Sequence, residues 1–359
     1  MGHVPLNEQK QTDELGGSIL GAASEEVSLS RAEEVAAQHF GIEGRASRLT
    51  SERDQNFKIV AADGQEFALR ISNHEEDASI NDFQIAALLH VAHVDPSVPV
   101  PRVQLALNGQ GHLRLPFENG RLRGVRLLSY LQGVPLNLVE RRAGHRALLG
   151  ANLAKLGLAL KDFSHAAAGH KLQWDIKHAS DIRPLIGYIP EEHQRNLAER
   201  FLTSFEVHAK PQFPNLRAQV VHNDLNPYNV LVNAENHTEL VGILDFGDMV
   251  HTPLAVDVAV GASYFMSTTD DPWDAVAEFV AAYHAVAPLK RAELDLLYDL
   301  IAARFVITVA ITGWRAKRYP QNSAYILKNN ATAWGGLTHL SSLPRDVAQR
   351  RLRKACHME

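Results

Sequence analysis

Apolar and polar residues alternate in two short stretches near the start of the chain, residues 56–61 and 66–71, and the alternation predicts two half-buried strands. The four residues between them, Ala62-Asp63-Gly64-Gln65, carry an Asp-Gly pair that favours a tight antiparallel turn, so the strands form a hairpin. Ahead of the hairpin, Ser28 or Ser30 can cap a helix running through His39 and ending at Gly41. After it, Ile80, Phe83, Ala87, Leu88 and Val91 recur at helical spacing and predict a helix over 79–93. Pro96, Pro99 and Pro101 close that helix, and strand-like runs follow at 102–107, 112–116 and 124–128. The segment Ser129-Tyr-Leu-Gln-Gly-Val-Pro-Leu136 breaks the pattern and reads as a connection between lobes. Beyond it the period becomes helical over 146–166, 191–207, 272–286, 291–316 and 323–340, interrupted by one β-rich stretch at 218–247. The pattern therefore predicts an α+β chain. It has a poorly ordered tail over 1–28, a small β-rich N-lobe over 29–130 and a larger, mainly helical C-lobe over 131–359.

Composition adds exclusions. Of 359 residues, 45% are hydrophobic and 21% charged, enough apolar content for a sizeable core. The 36 Lys and Arg against 41 Asp and Glu leave a net charge of -5, which argues against a nucleic-acid partner. The longest apolar run, residues 305–314, is too short to span a bilayer, so no membrane partner is expected. The first residues show no basic-then-apolar leader, and Cys356 alone cannot form an internal disulfide; both point to a cytoplasmic protein. The basic run of Arg345, Arg350, Arg351, Arg353 and Lys354 reads as a solvated helix face. His90-x-x-His93 and the four Trp read as packing residues.

Candidate chemistry concentrates in 218–247. The chain runs His222-Asn-Asp224-Leu-Asn-Pro-Tyr-Asn229, a β-rich run at 230–232, a hairpin-length loop, a second run at 240–244, then Asp245-Phe-Gly-Asp248. In an antiparallel hairpin the start of the first strand lies beside the end of the second, so Asn229 and Asp245 meet. An amide oxygen and a carboxylate converging there suit a hard divalent cation that completes its shell with water and phosphate oxygens. Asp224, on a loop containing Pro227, is near enough to act as base or orienter.

His-x-Asp-x-x-x-x-Asn followed by Asp-Phe-Gly resembles the catalytic-loop and metal-loop pair of kinase-fold phosphotransferases. The short separation of Asn229 from Asp245, with no Ala-Pro-Glu segment after it, is similar to the aminoglycoside phosphotransferase and choline kinase superfamily. Asp54-Gln-Asn-Phe57, Arg126-Leu-Leu-Ser-Tyr-Leu-Gln-Gly-Val-Pro135, Asp245-Phe-Gly-Asp-Met249 and Tyr298-Asp-Leu-Ile301 resemble the hydroxylysine kinase branch. The resemblance covers about 30–340. It implies a bilobal protein-kinase-like fold, ATP as phosphoryl donor, Mg2+, and a small hydroxylated, amine-bearing metabolite as acceptor.

The resemblance also implies roles. Asp224 would accept or orient the acceptor's proton, and Asn229, also part of the catalytic set, would hold Mg2+ with Asp245. His222 would brace the loop and Asp257 would hydrogen-bond it, while Asp248 would orient substrate or cap the turn. On the ATP side, Arg53 would cover the phosphates where no Gly-rich loop exists. Arg70 stands where the family often carries Lys, and Gln84 aligns with its usual Glu partner, Glu75, Glu76, Asp77 and Asp82 being alternatives. Adenine would lie against Ser129, Tyr130 and Leu131. An acceptor amine would meet Asp248, Glu278, Asp295 or Asp299. Homoserine, choline-like alcohols and aminoglycosides are alternative acceptors, and the Arg70 exchange opens a second reading as a nucleotide-binding pseudokinase.

Overall fold

The structure, a computed structural model, describes residues 26–50, 54–74, 76–117, 120–140, 142–266 and 271–359. Arg53 lies outside the described residues, as does the tail up to residue 25. The chain is anchored from Val27, which is buried and whose N–H donates to Gln55 Oε1 at 2.6 Å.

Helix α1 (Leu29–Phe40) starts where Ser28 Oγ accepts the Arg31 N–H and stops at Gly41, whose φ of 70° suits glycine. Strands β1 (Gly44–Leu49), β2 (Gln55–Ala61) and β3 (Glu66–Ile71) follow, with Gly64 at φ 84° in the hairpin turn. Strand β1 escapes the sequence pattern because Gly-Arg-Ala-Ser-Arg-Leu lacks apolar alternation. With β4 (Val103–Gln104), β5 (Leu113–Pro116) and β6 (Leu122–Ser129) these make one antiparallel sheet in the order β1-β2-β3-β6-β4, β5 also pairing with β6. The strand expected over 102–107 shortens to β4 because Ala106 donates to the Gln110 carbonyl and closes a turn.

Phe57, Leu69 and Leu127 stand abreast across the sheet and share a core with Val35, Ala36 and Phe40 of α1. The neighbouring register row, on the opposite face, is Asn56, Arg70 and Arg126. Helix α2 (Ala78–Val94), capped by Asp77, packs Phe83, Leu88 and Val91 into the core of the larger lobe. Phe83 stacks on Phe163 with ring centroids 6.0 Å apart. The apolar core thus does not divide cleanly at residue 130.

Gly133 lets the interlobe connection lie on the next sheet. Its φ is 151°, and a Cβ there would stand 2.8 Å from Val241 Cγ2 and 3.0 Å from the Val232 carbonyl oxygen. Strand β7 (Val134–Pro135) then pairs with the chemistry-bearing hairpin defined below.

The helical lobe comprises α3 (Ala143–Ala159), α4 (Glu192–His208), α5 (Leu254–Ser263), α6 (Pro272–Val286), α7 (Arg291–Arg318), α8 (Ser323–Ile326), α9 (Asn330–Ser342) and α10 (Arg345–Ala355). Helix α3 ends before the expected residue 166, and the helix expected over 323–340 breaks between α8 and α9. A 3-10 segment, Ile176–Tyr188, packs along α7, whose middle is buried on all sides. The basic run is not simply a solvated face: Arg351 pairs with Asp271 and Asp274, and Arg353 with Asp295 at 2.7 Å, docking α10 on α6 and α7. Among the described residues no helix is long and apolar enough to cross a membrane.

Candidate active site

Strand β8 (Ala218–Val221) pairs with β11 (Val250–Pro253), and β9 (Val230–Val232) pairs with β10 (Leu240–Ile243). The loop from β8 to β9 carries the polar residues. It turns at Asn223, which adopts φ 62°, a conformation non-glycine residues rarely take. Asp257 of α5 stabilises that turn: its carboxylate accepts the Asn223 N–H at 2.7 Å and also the His222 N–H. Burial pushes the Asp257 carboxyl up to about 7, against the pull of those two N–H groups. His222 is fully buried. Its Nδ1 accepts the Asp224 N–H, its Nε2 lies 3.0 Å from the Leu244 carbonyl, and its ring sits edge-on to Phe246. Burial depresses its pKa, and a neutral ring with its proton on Nε2 satisfies both bonds. Asp257→Ala should therefore orphan two buried N–H groups and cost about 1–3 kcal/mol for each, read as a lower denaturant midpoint; an unchanged midpoint would remove the bracing role.

Asp224 is held mainly through one of its two oxygens. Its Oδ2 accepts from Asn226 Nδ2 at 3.1 Å and from Asn229 Nδ2 at 2.8 Å, while Oδ1 lies 3.4 Å from Arg304 Nη2. Burial pushes the carboxyl up to about 7, the nearby Asp248 charge adds to this, and Arg304 opposes it. The Asn229 amide nitrogen also donates to the Asp224 carbonyl at 3.0 Å, which turns its Oδ1 away from Asp224.

Ile243 pairs with Val230, and the next N–H along, Leu244, donates to the Asn229 carbonyl at 2.7 Å. Asn229 and Asp245 therefore flank the same end of the hairpin. Asp245 is exposed with φ 57°, and its Oδ1 accepts the Gly247 N–H. Together they offer hard oxygen donors. Among the described residues no group of three His, Cys, Asp or Glu could hold a metal alone, so a cation here would draw its other ligands from phosphate and water.

Two cations stand side by side on the N-lobe sheet. Arg70 and Arg126 are cross-strand neighbours on β3 and β6. Arg126 is buried, donates to Asn81 Oδ1 and lies 3.7 Å from Asp54 Oδ2. Burial and then Arg70 lower its pKa to about 10, while Asp54, Glu76 and Asp245 favour its charge.

Residues 45–297 match the model of the phosphotransferase enzyme family. The chain belongs to that family. It is 25% identical over 327 residues to hydroxylysine kinase of Mus musculus, covering 84% of this chain and 85% of that protein. It is 31% identical over 206 residues to homoserine kinase of Nitrobacter winogradskyi, covering 52% of this chain and 60% of that one. Its fold matches the amicoumacin kinase solved with AMP-PNP, Ca2+ and Ami, with a TM-score of 0.67, 14% identity, and 89% and 95% of the two chains covered. The phosphotransferase thus has the α+β, bilobal protein-kinase-like fold, and by class it is a small-molecule kinase acting on a hydroxyl group.

Within the phosphotransferase the residues singled out from sequence are placed unevenly. His222, Asp224, Asn229, Asp245 and Asp257 are brought together, and Asp248 lies close enough to perturb Asp224. Gln84 is buried on α2, but the N-lobe ion-pair network is built without it, from Asp54, Glu76 and Asn81. Of its alternatives, Glu76 joins that network, Asp77 caps α2, Asp82 lies near His112 and His165, and Glu75 lies outside the described residues. At the segment expected to lie against adenine, the Ser129 N–H donates to the Arg102 carbonyl and the Tyr130 N–H to the Glu66 carbonyl. Leu131 lies against Gly242 of β10. Three carboxylates proposed for an amine are already paired: Glu278 with Arg146, Asp295 with Arg353, and Asp299 with Arg345 and Ser204.

Sequence reasoning missed Asn226, Arg126 and Arg304. A usable signal existed for both arginines, since each is a lone charge inside an apolar run, Val125-Arg-Leu-Leu128 and Ile301-Ala-Ala-Arg-Phe-Val-Ile307.

Proposed function

We propose that the protein transfers the γ-phosphoryl group of ATP, with Mg2+, to the hydroxyl of a small amine-bearing metabolite, hydroxylysine or a related amino alcohol being the first to test. One observation carries the reading: Asp224, Asn229 and Asp245 converge within a single hydrogen-bonded loop pair. Because Oδ2 of Asp224 is occupied by two amides, Oδ1 is the atom that takes the acceptor's O–H proton as the phosphoryl group arrives. Asn229 and Asp245 would hold the cation, whose charge would be available to neutralise the transferring group. Arg126 and Arg70 face the phosphates from the N-lobe, with Asp54 and Asn81 fixing the Arg126 fork. Asp248, on the Asp224 side, meets the acceptor's amine. The relatives named hydroxylysine kinase and homoserine kinase support acceptors of this type.

The experiment is ADP release measured with ATP, Mg2+ and a panel of hydroxylysine, homoserine, amino alcohols, choline and aminoglycosides. Acceptor-dependent ADP release with a hydroxylated amine is the expected result. Nucleotide binding without acceptor-dependent release across the panel would replace this reading with the pseudokinase one.

A further inference from the structure

Arg304 has no place in the phosphoryl-transfer scheme above, yet it reaches the one open edge of its base. It projects from the buried middle of α7 and is itself buried. Its Nη1 donates to the Trp174 carbonyl at 3.0 Å, its guanidinium lies over the Trp174 ring at 5.4 Å, and the Tyr264 hydroxyl is within hydrogen-bonding reach. Stacking and a backbone bond lock the fork in place. The contact with Asp224 is a single one at 3.4 Å, not the two-pronged pair that arginine makes when an ion pair is its purpose.

A fixed cation there competes with the acceptor's hydroxyl for Oδ1. It also repels an acceptor that carries only positive charge. Both costs are removed when an anionic group of the acceptor engages the guanidinium while the hydroxyl docks at Oδ1. We infer that Arg304, oriented by Trp174 and Tyr264, is the acceptor-recognition residue and binds a carboxylate. The acceptor is then a hydroxy amino acid, with its amine toward Asp248, and not a simple amino alcohol, a choline-like alcohol or an aminoglycoside. This inference rests on the phosphotransfer reading above.

The test pairs each acceptor with its own decarboxylated analogue: homoserine and hydroxylysine, each beside the same molecule with hydrogen in place of the carboxylate. The wild-type protein should favour the carboxylate-bearing member by about 10–150-fold in kcat/KM, the range of a charge-assisted hydrogen-bonded pair. Arg304→Met should collapse that ratio to near one, chiefly through KM, and Arg304→Lys should restore part of it. A merely structural role for Arg304 would lower both members equally and leave the ratio untouched. If Arg304→Met fails to fold, the wild-type ratio and the Arg304→Lys variant decide the matter. Equal kcat/KM for the two members overturns the inference while leaving the kinase reading intact. Calorimetric titration without ATP separates the converse case: carboxylate-dependent binding lost in Arg304→Met and partly kept in Arg304→Lys, with no turnover of any acceptor, keeps the subsite and removes the phosphotransfer role.

Discussion

Asp224→Asn is expected to lower kcat by about 10²–10⁴ while leaving the binding of ATP nearly unchanged. The substitution keeps size and shape, so Asn226 and Asn229 still find an oxygen at the Oδ2 position, and what is lost is the atom that accepts a proton. Comparable turnover in the variant would mean that the acceptor's proton leaves by another route. The pH profile carries a second signature of the same group. A base is active only when deprotonated, and burial with the Asp248 charge lifts Asp224 to about 7. Below that pH, kcat/KM should fall roughly tenfold per unit; above it, the rate should level off. Asp248→Asn removes a negative neighbour, so the acidic limb should move to lower pH. A limb that stays in place would take Asp248 away from the base.

Asp245→Ala should have an effect of similar size by a different path. Asp245 places an exposed carboxylate at the end of the β9–β10 hairpin beside Asn229, on a left-handed backbone. Without it a divalent cation bound as proposed would keep only the Asn229 oxygen. Mg2+-dependent protection of the fold by ATP should disappear from thermal melts, and turnover should drop by at least about 10²-fold. Protection of wild-type size in the variant would contradict the ligand role. The fold itself should survive, because the side chain's one hydrogen bond is a local turn contact with Gly247.

The legible parts of this molecule are those where local sequence and tertiary structure agree. The Asp-Gly hairpin, the Ser28-capped helix and the helices over 272–286 and 291–316 lie within a few residues of their expected places, because capping, turn chemistry and periodicity are local. Helix α5 was not anticipated: its sequence, Leu-Ala-Val-Asp-Val-Ala-Val-Gly-Ala-Ser, is apolar on every side, so no amphipathic period marks it. Arg304 sits in a similarly apolar stretch of α7, where its lone charge was the signal. In the site, the Asp224, Asn229 and Asp245 spacing was readable because one hairpin brings them together. The N-lobe cluster was not, because Asp54, Asn81 and Arg126 come from a loop, a helix and a strand distant in sequence. Of the partners expected for Arg70, Gln84 and its alternatives, Glu76 lies in this charge cluster beside Asp54 and Arg126, and Asp54 is the carboxylate that feels Arg70.

The most direct measurement of the central claim is mass spectrometry of the acceptor after incubation with ATP, Mg2+ and either the wild-type protein or Asp224→Asn. The account predicts a phosphate ester on the acceptor's hydroxyl, formed one-for-one with ADP by the wild type and nearly absent with the variant. ADP formed with no phosphorylated acceptor, or an ester formed equally by both proteins, would contradict it.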